Sequence, residues 1–247
     1  MSPKLILQEG AILIADAHYS DQNPYFFSFL KAVDEGRIKT PQLILMGDMF
    51  ELLFGKIKQT QVENEKVINL LNKLSKKINV SYFEGNHDFL LKNIFPNIVI
   101  YPIKEQPQEV DFNKQKVMLS HGDTHLSLSY TLYTNIIRNG LTLSILSLVN
   151  TLCLNCIMKW LKKRGNNKDQ CYKIASFEEM AFQRLLYLKE KALDIVIEGH
   201  FHQNTSFKLY GFEYINLASF ACNQKYFIVQ SSKGQFFLHE TRFEESE

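Results

Sequence analysis

Gln42-Leu-Ile-Leu-Met-Gly-Asp-Met-Phe-Glu51 is the stretch from which the rest of the chain can be read. Residues 42–46 have the length and composition of a strand buried on both faces. The run stops at Gly47, where the chain can turn sharply, and a carboxylate, Asp48, follows at once. The same grammar recurs four times. Residues 11–15 lead into Asp16-Ala-His18, and 80–84 into Gly85-Asn86-His87-Asp88. Residues 116–120 lead into His121-Gly122-Asp123, and 194–198 into Gly199-His200-Phe201-His202. In an open α/β sheet the ends of such strands are where ligands gather.

Helical spacing fills the intervals. Residues 24–35 and 61–77 read as helices, the second with Val62, Val67, Leu70, Leu71 and Leu74 along one side. Strand and helix in alternation predict a largely parallel sheet. After Gly199 the pattern shortens to strands at 206–210, 213–217, 226–230 and 235–240, which predict a second, more antiparallel sheet. The fold class expected is α/β, an αββα sandwich of two mixed sheets forming a single domain over 1–247.

Residues 124–176 break the alternation and read as an inserted helical lid. Residues 141–161 suggest one long helix with a wide apolar face. A narrow polar stripe runs along it through Ser144, Ser147, Thr151, Asn155 and Lys159. At about 21 residues it could just span a bilayer. A crossing there would separate His121 from His200, so a helix lying at a membrane surface fits better. Lys162, Lys163 and Arg164 suit a solvated helix end.

Composition narrows the classes. A formal charge of +2 gives no nucleic-acid footprint, and none is expected as a partner; no obligate protein partner is evident either. Cys153, Cys156, Cys171 and Cys222 lack paired metal spacing and read as small buried apolar groups, without a disulfide framework. A reducing cytoplasm is therefore the expected compartment, and the N-terminus lacks a signal-peptide plan.

Carboxylate, carboxamide and imidazole groups are ligands for divalent first-row ions. Asp16, His18, Asp48, Asn86, His121, His200 and His202, delivered from five strand ends, suit two adjacent ions. A carboxylate such as Asp48 can bridge them. His87 is adjacent to Asn86 and would face the substrate, as proton donor or phosphoryl contact, with Asp88 orienting its ring. Asp123 is either an outer support of the site or a loop acid; His125 reads as solvated and His239 as structural.

These motifs, in this order, resemble the calcineurin-like metallophosphoesterase superfamily over residues 12–203. The resemblance implies that Asp16, His18, Asp48 and His202 hold one ion, and Asp48, Asn86, His121 and His200 the other. It makes His87 the catalytic histidine. Within the superfamily the chain looks like the UDP-2,3-diacylglucosamine pyrophosphohydrolases of the lipid A pathway. That likeness rests on Gly47-Asp48-Met-Phe-Glu51, Gly85-Asn86-x-Asp88-Phe89-Leu90, His121-Gly122-Asp123-Thr124 and the insertion before the last motif. It implies manganese (iron or zinc being the alternatives), a nucleotide-lipid substrate and a place at the inner face of the cytoplasmic membrane. Asn86, Arg138 and Lys168 then lie near substrate-contact positions. The chain departs from that family at His87, where arginine is usual, at Leu128-Ser129, and at Gln203-Asn204 after the last histidine. The competing activities are a phosphodiesterase or phosphatase for a soluble nucleotide or phosphoprotein, and a non-catalytic scaffold; intact ligand positions oppose the last.

Overall fold

The computed structural model describes residues 2–166 and 169–245. In chain order its elements begin β1 (Ile12–Ile14), α1 (Tyr25–Asp34), β2 (Gln42–Leu45), β3 (Leu53–Phe54), α2 (Lys58–Glu63) and α3 (Glu65–Leu74). They continue through β4 (Asn79–Phe83), β5 (Asp88–Phe89), β6 (Val99–Tyr101), β7 (Gln108–Phe112) and β8 (Gln115–Ser120). Four helices follow: α4 (Leu128–Ile137), α5 (Gly140–Leu152), α6 (Cys156–Asn166) and α7 (Phe177–Arg184). The chain closes with β9 (Ile195–Glu198), β10 (Thr205–Leu209), β11 (Phe212–Asn216), α8 (Phe220–Asn223), β12 (Lys225–Ser232) and β13 (Gln235–Arg242).

Two sheets form the body. The first runs β13-β12-β1-β2-β4-β6 and the second β10-β11-β9-β8-β7, with β3 and β5 as a separate short ribbon. Side-chain alternation sets the layers. Leu13, Ala15, Ile44, Met46 and Phe83 meet Val117, Leu119, Ile195 and Ile197 between the sheets. Ile12, Ile14, Leu43 and Leu45 face outward against Phe26, Phe29, Leu30 and Leu71 of α1 and α3. On the other side Met118, Val196 and Tyr214 pack on Phe177 and Ala181 of α7. Every central strand is thus buried on both faces, which is why each reads as an unbroken apolar run. The architecture is an αββα sandwich.

Four readings need correction. The closing strands do not make the second sheet by themselves. β10 and β11 extend sheet two beside β9, whereas β12 returns antiparallel to β1 in sheet one and β13 pairs antiparallel to β12 at its edge. Alternation reveals which face is buried, not which neighbour pairs. The helix expected over 61–77 is two, divided at Asn64, whose amide donates to the carbonyls of Leu52 and Thr60 at 3.0 and 2.7 Å.

The helix expected over 141–161 is also two, α5 and α6, bent by 103°. Leu154 and Asn155 between them adopt left-handed backbone, which Asn tolerates. The buried Asn150 fixes the corner: its amide donates to Asn155 Oδ1 at 3.0 Å, and its Oδ1 accepts from Met158 N at 3.1 Å. The polar stripe is therefore not continuous. Among the described residues no single helix is long and apolar enough to cross a membrane. Finally, the four cysteines are not free thiols: Cys153 is bridged to Cys156 and Cys171 to Cys222.

Candidate metal centre

β1, β2 and β4 point their carboxyl ends to one edge of sheet one, and β8 and β9 theirs to the matching edge of sheet two. All five motifs therefore meet at the mouth between the sheets. The turn out of each strand is tight. Asp16, His18, Asp48, His200 and His202 have φ of 51°, 42°, 54°, 65° and 59°, left-handed values that side chains rarely take. Such strain costs on the order of 1–3 kcal/mol per residue and concentrates at functional sites.

The motif glycines make room for ligands from other motifs. A Cβ on Gly47 would lie 2.3 Å from His121 Nδ1, and one on Gly85 2.1 Å from Asp48 Oδ1. On Gly199 it would lie 2.7 Å from Asp16 Oδ2. Two clusters result, Asp16–His18–His202 and Asp48–His121–His200, each with its donor atoms within 4.8 Å of one another. Asp48 Oδ2 stands 3.5 Å from His121 Nε2, and Asp16 Oδ1 3.2 Å from His202 Nε2.

Outer hydrogen bonds aim the rings. His121 Nδ1 donates to the Met46 carbonyl at 2.8 Å, leaving Nε2 turned inward. His18 Nδ1 and Nε2, Asn86 Oδ1 and His121 Nε2 are buried without a hydrogen-bond partner among the described residues. Unpaired buried polar atoms are costly. Here Asn86 Oδ1, His121 Nε2 and one nitrogen of His18 converge with two carboxylates, so a pair of divalent ions would satisfy them. Burial and the neighbouring His87 push His18 down to about 3, and burial with His121 pushes His200 down to about 4. Both imidazoles are neutral at pH 7, the form that binds metal. His121 and His202 are held above their ordinary values by Asp48 and Asp16 despite burial.

His87 sits half-buried beside this centre, its ring 4.9 Å from that of His18. Its Nδ1 pairs with the Glu51 carbonyl at 2.7 Å, so Nδ1 carries the proton and Nε2 is the free atom. Asp88 does not orient that ring. Its carboxylate accepts from the main-chain N–H groups of Asp48, Met49 and Gly85 at 3.1, 2.6 and 3.0 Å, and from Tyr82 Oη at 2.5 Å. It is a clamp on the Asp48 turn. Full burial and Asp48 raise it to about 7. Residues adjacent in sequence alternate direction, which sends Asp88 under the loop and His87 over it.

Arg138 also differs from expectation. Its guanidinium donates to Gly85 O at 2.9 Å and to Asp123 Oδ2 at 2.5 Å, tying α4 to two motif loops. Asp123 is thereby an outer support of the site. Lys168 lies outside the described residues. His125 stacks on Tyr187 at 3.9 Å and His239 is exposed on β13. Lys162 is paired with Glu63 at 2.6 Å, and Arg164 lies 5.5 Å over the Trp160 ring.

Two features escape the motif reading. Arg184 is buried against Glu198, which also accepts from Ser120 Oγ at 2.9 Å and Tyr214 Oη at 3.0 Å. The signal was a lone acid closing the apolar run before Gly199. Glu51, buried, groups with His18 and His87.

The chain has relatives among known proteins. The calcineurin-like phosphoesterase family model matches residues 11–204. UDP-2,3-diacylglucosamine hydrolase of Coxiella burnetii is 26% identical over 200 residues, covering 78% of this chain and 80% of that protein. The protein of the same name from Blochmanniella pennsylvanica is 26% identical over 214 residues, covering 81% of each. Among solved structures, a dimetal phosphatase from Danio rerio superposes with a TM-score of 0.47 at 13% identity, covering 91% of this chain and 93% of its own.

Proposed function

The chain belongs to the calcineurin-like phosphoesterase family, and from that premise we propose that it hydrolyses the pyrophosphate of UDP-2,3-diacylglucosamine to the lipid 1-phosphate and UMP. In this reading Asp16, His18, Asp48 and His202 hold one divalent ion, and Asp48, Asn86, His121 and His200 the other. Manganese is the proposed metal, as the likeness to the lipid A hydrolases implies; the mixed oxygen and imidazole donors admit iron or zinc as well. Bound there, the two ions would supply an activated water and neutralise phosphoryl charge.

The protein's own groups do the rest. Asp48 would be the shared carboxylate. One of its oxygens accepts from His87 N at 2.8 Å, which fixes the direction in which the His87 loop leaves the site. With Nδ1–H spent on Glu51 O, His87 presents only Nε2 to substrate. As imidazolium it donates from Nε2 to a phosphoryl oxygen or to the departing UMP or lipid phosphate. Arg138, occupied by Asp123 and Gly85, acts by holding α4 against the Asn86 loop.

One juxtaposition supports a lipid substrate: helices rich in exposed apolar side chains are tied, through Arg138, to two loops of the candidate metal centre. Leu132, Ile136, Leu141, Ile145, Leu148 and Leu152 of α4 and α5 are all more than half exposed. Contiguous exposed apolar surface of this kind marks contact with lipid or protein. We assign it to acyl chains and to the inner face of the cytoplasmic membrane, with the protein peripheral to it.

The test is purified protein with Mn²⁺ assayed against UDP-2,3-diacylglucosamine, a simple phosphodiester and a phosphomonoester. Release of UMP from the nucleotide-lipid at a kcat/KM at least a hundredfold above both others is expected. Preference for a soluble ester would reject the lipid assignment and keep the phosphoesterase.

A further inference from the structure

Three imidazoles of the site rest on two residues outside the seven ligand candidates. The Glu51 carbonyl accepts from His87 Nδ1 at 2.7 Å. Its carboxylate, buried, places Oε2 3.7 Å from His18 Nδ1. The same Oε2 accepts from Gln170 Nε2 at 3.1 Å, and the Gln170 carbonyl in turn accepts from His202 Nδ1. A continuous path thus joins His18, Glu51, Gln170 and His202. In each of the three rings Nδ1 faces this path. A metal-ligating imidazole needs an acceptor for its remote N–H, because that bond fixes tautomer and ring direction. His18 Nδ1 is buried and has no hydrogen-bond partner among the described residues. At 3.7 Å Glu51 is just beyond hydrogen-bond distance, and a shift of well under 1 Å closes the gap.

Gln170 belongs to the segment that returns from α6 to the body. Other contacts tie the lid to the same place. A Cβ on Gly165 of α6 would lie 2.0 Å from Glu51 Oε1, so glycine lets that helix end approach without displacing the Glu51 carboxylate. Cys171 is bridged to Cys222 in α8, where Phe220 N and Ala221 N donate to the Ala15 and Asp16 carbonyls at 2.9 and 3.1 Å. The lid's return segment is therefore anchored on both sides of the Asp16–His18–His202 cluster.

We propose that Glu51 and Gln170 are positioning residues that couple the placement of the lid to the affinity of the ion held by Asp16, His18 and His202. This rests on the two-ion reading above. Outer supports of this kind are worth about 10–100-fold in metal affinity.

The experiment titrates Mn²⁺ into chelator-stripped full-length protein, counting ions at equilibrium and following the fluorescence of Trp160, the single tryptophan, on α6. Wild type takes up two ions and its Trp160 signal changes with one of them. Glu51→Ala binds one ion as wild type does and the other about 10–100-fold more weakly; Gln170→Ala, which loses the side-chain bond to Glu51 but keeps the main-chain carbonyl facing His202, weakens the same ion by less, and its Trp160 change is reduced or lost. Glu51→Gln, which keeps an acceptor oxygen, recovers part of the affinity. Wild-type affinity for both ions in Gln170→Ala and Glu51→Gln overturns the proposal. So does equal weakening of both ions with a lower Tm of the metal-free variants, which marks a purely structural role. Three ions in wild type and two in Glu51→Ala would make Glu51 a ligand instead. Fewer than two ions in wild type removes the two-ion reading itself, and the proposal with it.

Discussion

Gly47, Gly85 and Gly199 occupy space that ligands from neighbouring motifs need. Gly47 has the stronger requirement, since it combines φ of 91° with a Cβ position 2.3 Å from His121 Nδ1. Gly47→Ala is expected to cost about 1–3 kcal/mol in backbone strain and to displace the His121 ring. Mn²⁺ titration with a thermal melt checks both, with at least a tenfold loss in metal affinity expected. His87→Ala should lose about 10²–10⁴-fold in turnover while keeping its metal content; a lost ion in elemental analysis would make His87 a ligand. His87→Arg imitates the residue usual in the lipid A family, and substantial activity in that variant would support the lipid A assignment. At this scale the seven ligand candidates were legible, because each follows an apolar run and a turn. The supports were not. Glu51 and Gln170 stand 119 positions apart, and nothing local announces that they meet. Asp88 was legible as important but not in direction, since adjacency to His87 suggested a partner that the alternation of the chain denies it.

α5 and α6 replace the single helix that an uninterrupted apolar stretch suggests. No glycine or proline marks the corner at 153–155; Asn150 makes it through tertiary contacts with Gln59 and Met158. Breaking the helix turns Leu148 and Leu152 outward, at 62% and 76% exposure. Leu148→Glu and Leu152→Glu should therefore change stability by less than about 0.5 kcal/mol. They should weaken liposome binding and raise KM for a diacylated substrate, leaving a soluble phosphodiester unaffected. Equal loss on both substrates with a lower Tm would mean the surface is core. The pair linking α7 to β9 gives a pH-dependent prediction. Burial alone would raise the Glu198 carboxyl, but Arg184, with Ser120 and Tyr214, holds it below its ordinary 4.5. A carboxyl lowered on folding stabilises the fold above its unfolded value and loses that contribution as pH falls through the folded one. Arg184→Met leaves the charge buried and unpaired, costing about 3–5 kcal/mol at neutral pH. Its deficit against wild type should shrink as acid neutralises Glu198. Denaturant unfolding at pH 7 and pH 4 measures this, and an unchanged deficit would contradict the assignment.

Across the whole molecule, the sandwich was legible because its central strands are covered on both faces and carry no polar alternation to confuse them with loops. The partition of strands was not: β8 and β9 look like their counterparts in sheet one, and only pairing separates them. The Cys171–Cys222 pair was equally hidden, its members lying 51 positions apart, whereas Cys153 and Cys156, separated by 3, were in view and read as apolar groups. What the two sheets achieve together is to bring Asp48 from one edge against His121 and His200 from the other. That convergence carries the account of a shared, two-ion centre. The most direct measurement compares wild type with Asp48→Ala, counting Mn²⁺ per chain and turnover of UDP-2,3-diacylglucosamine in the same samples. Two ions in wild type, with both weakened in Asp48→Ala and turnover below about one-tenth, is the predicted result, because a shared ligand serves both ions and the chemistry needs the pair. Two tightly held ions in Asp48→Ala, or one-tenth or more of wild-type turnover, would contradict it.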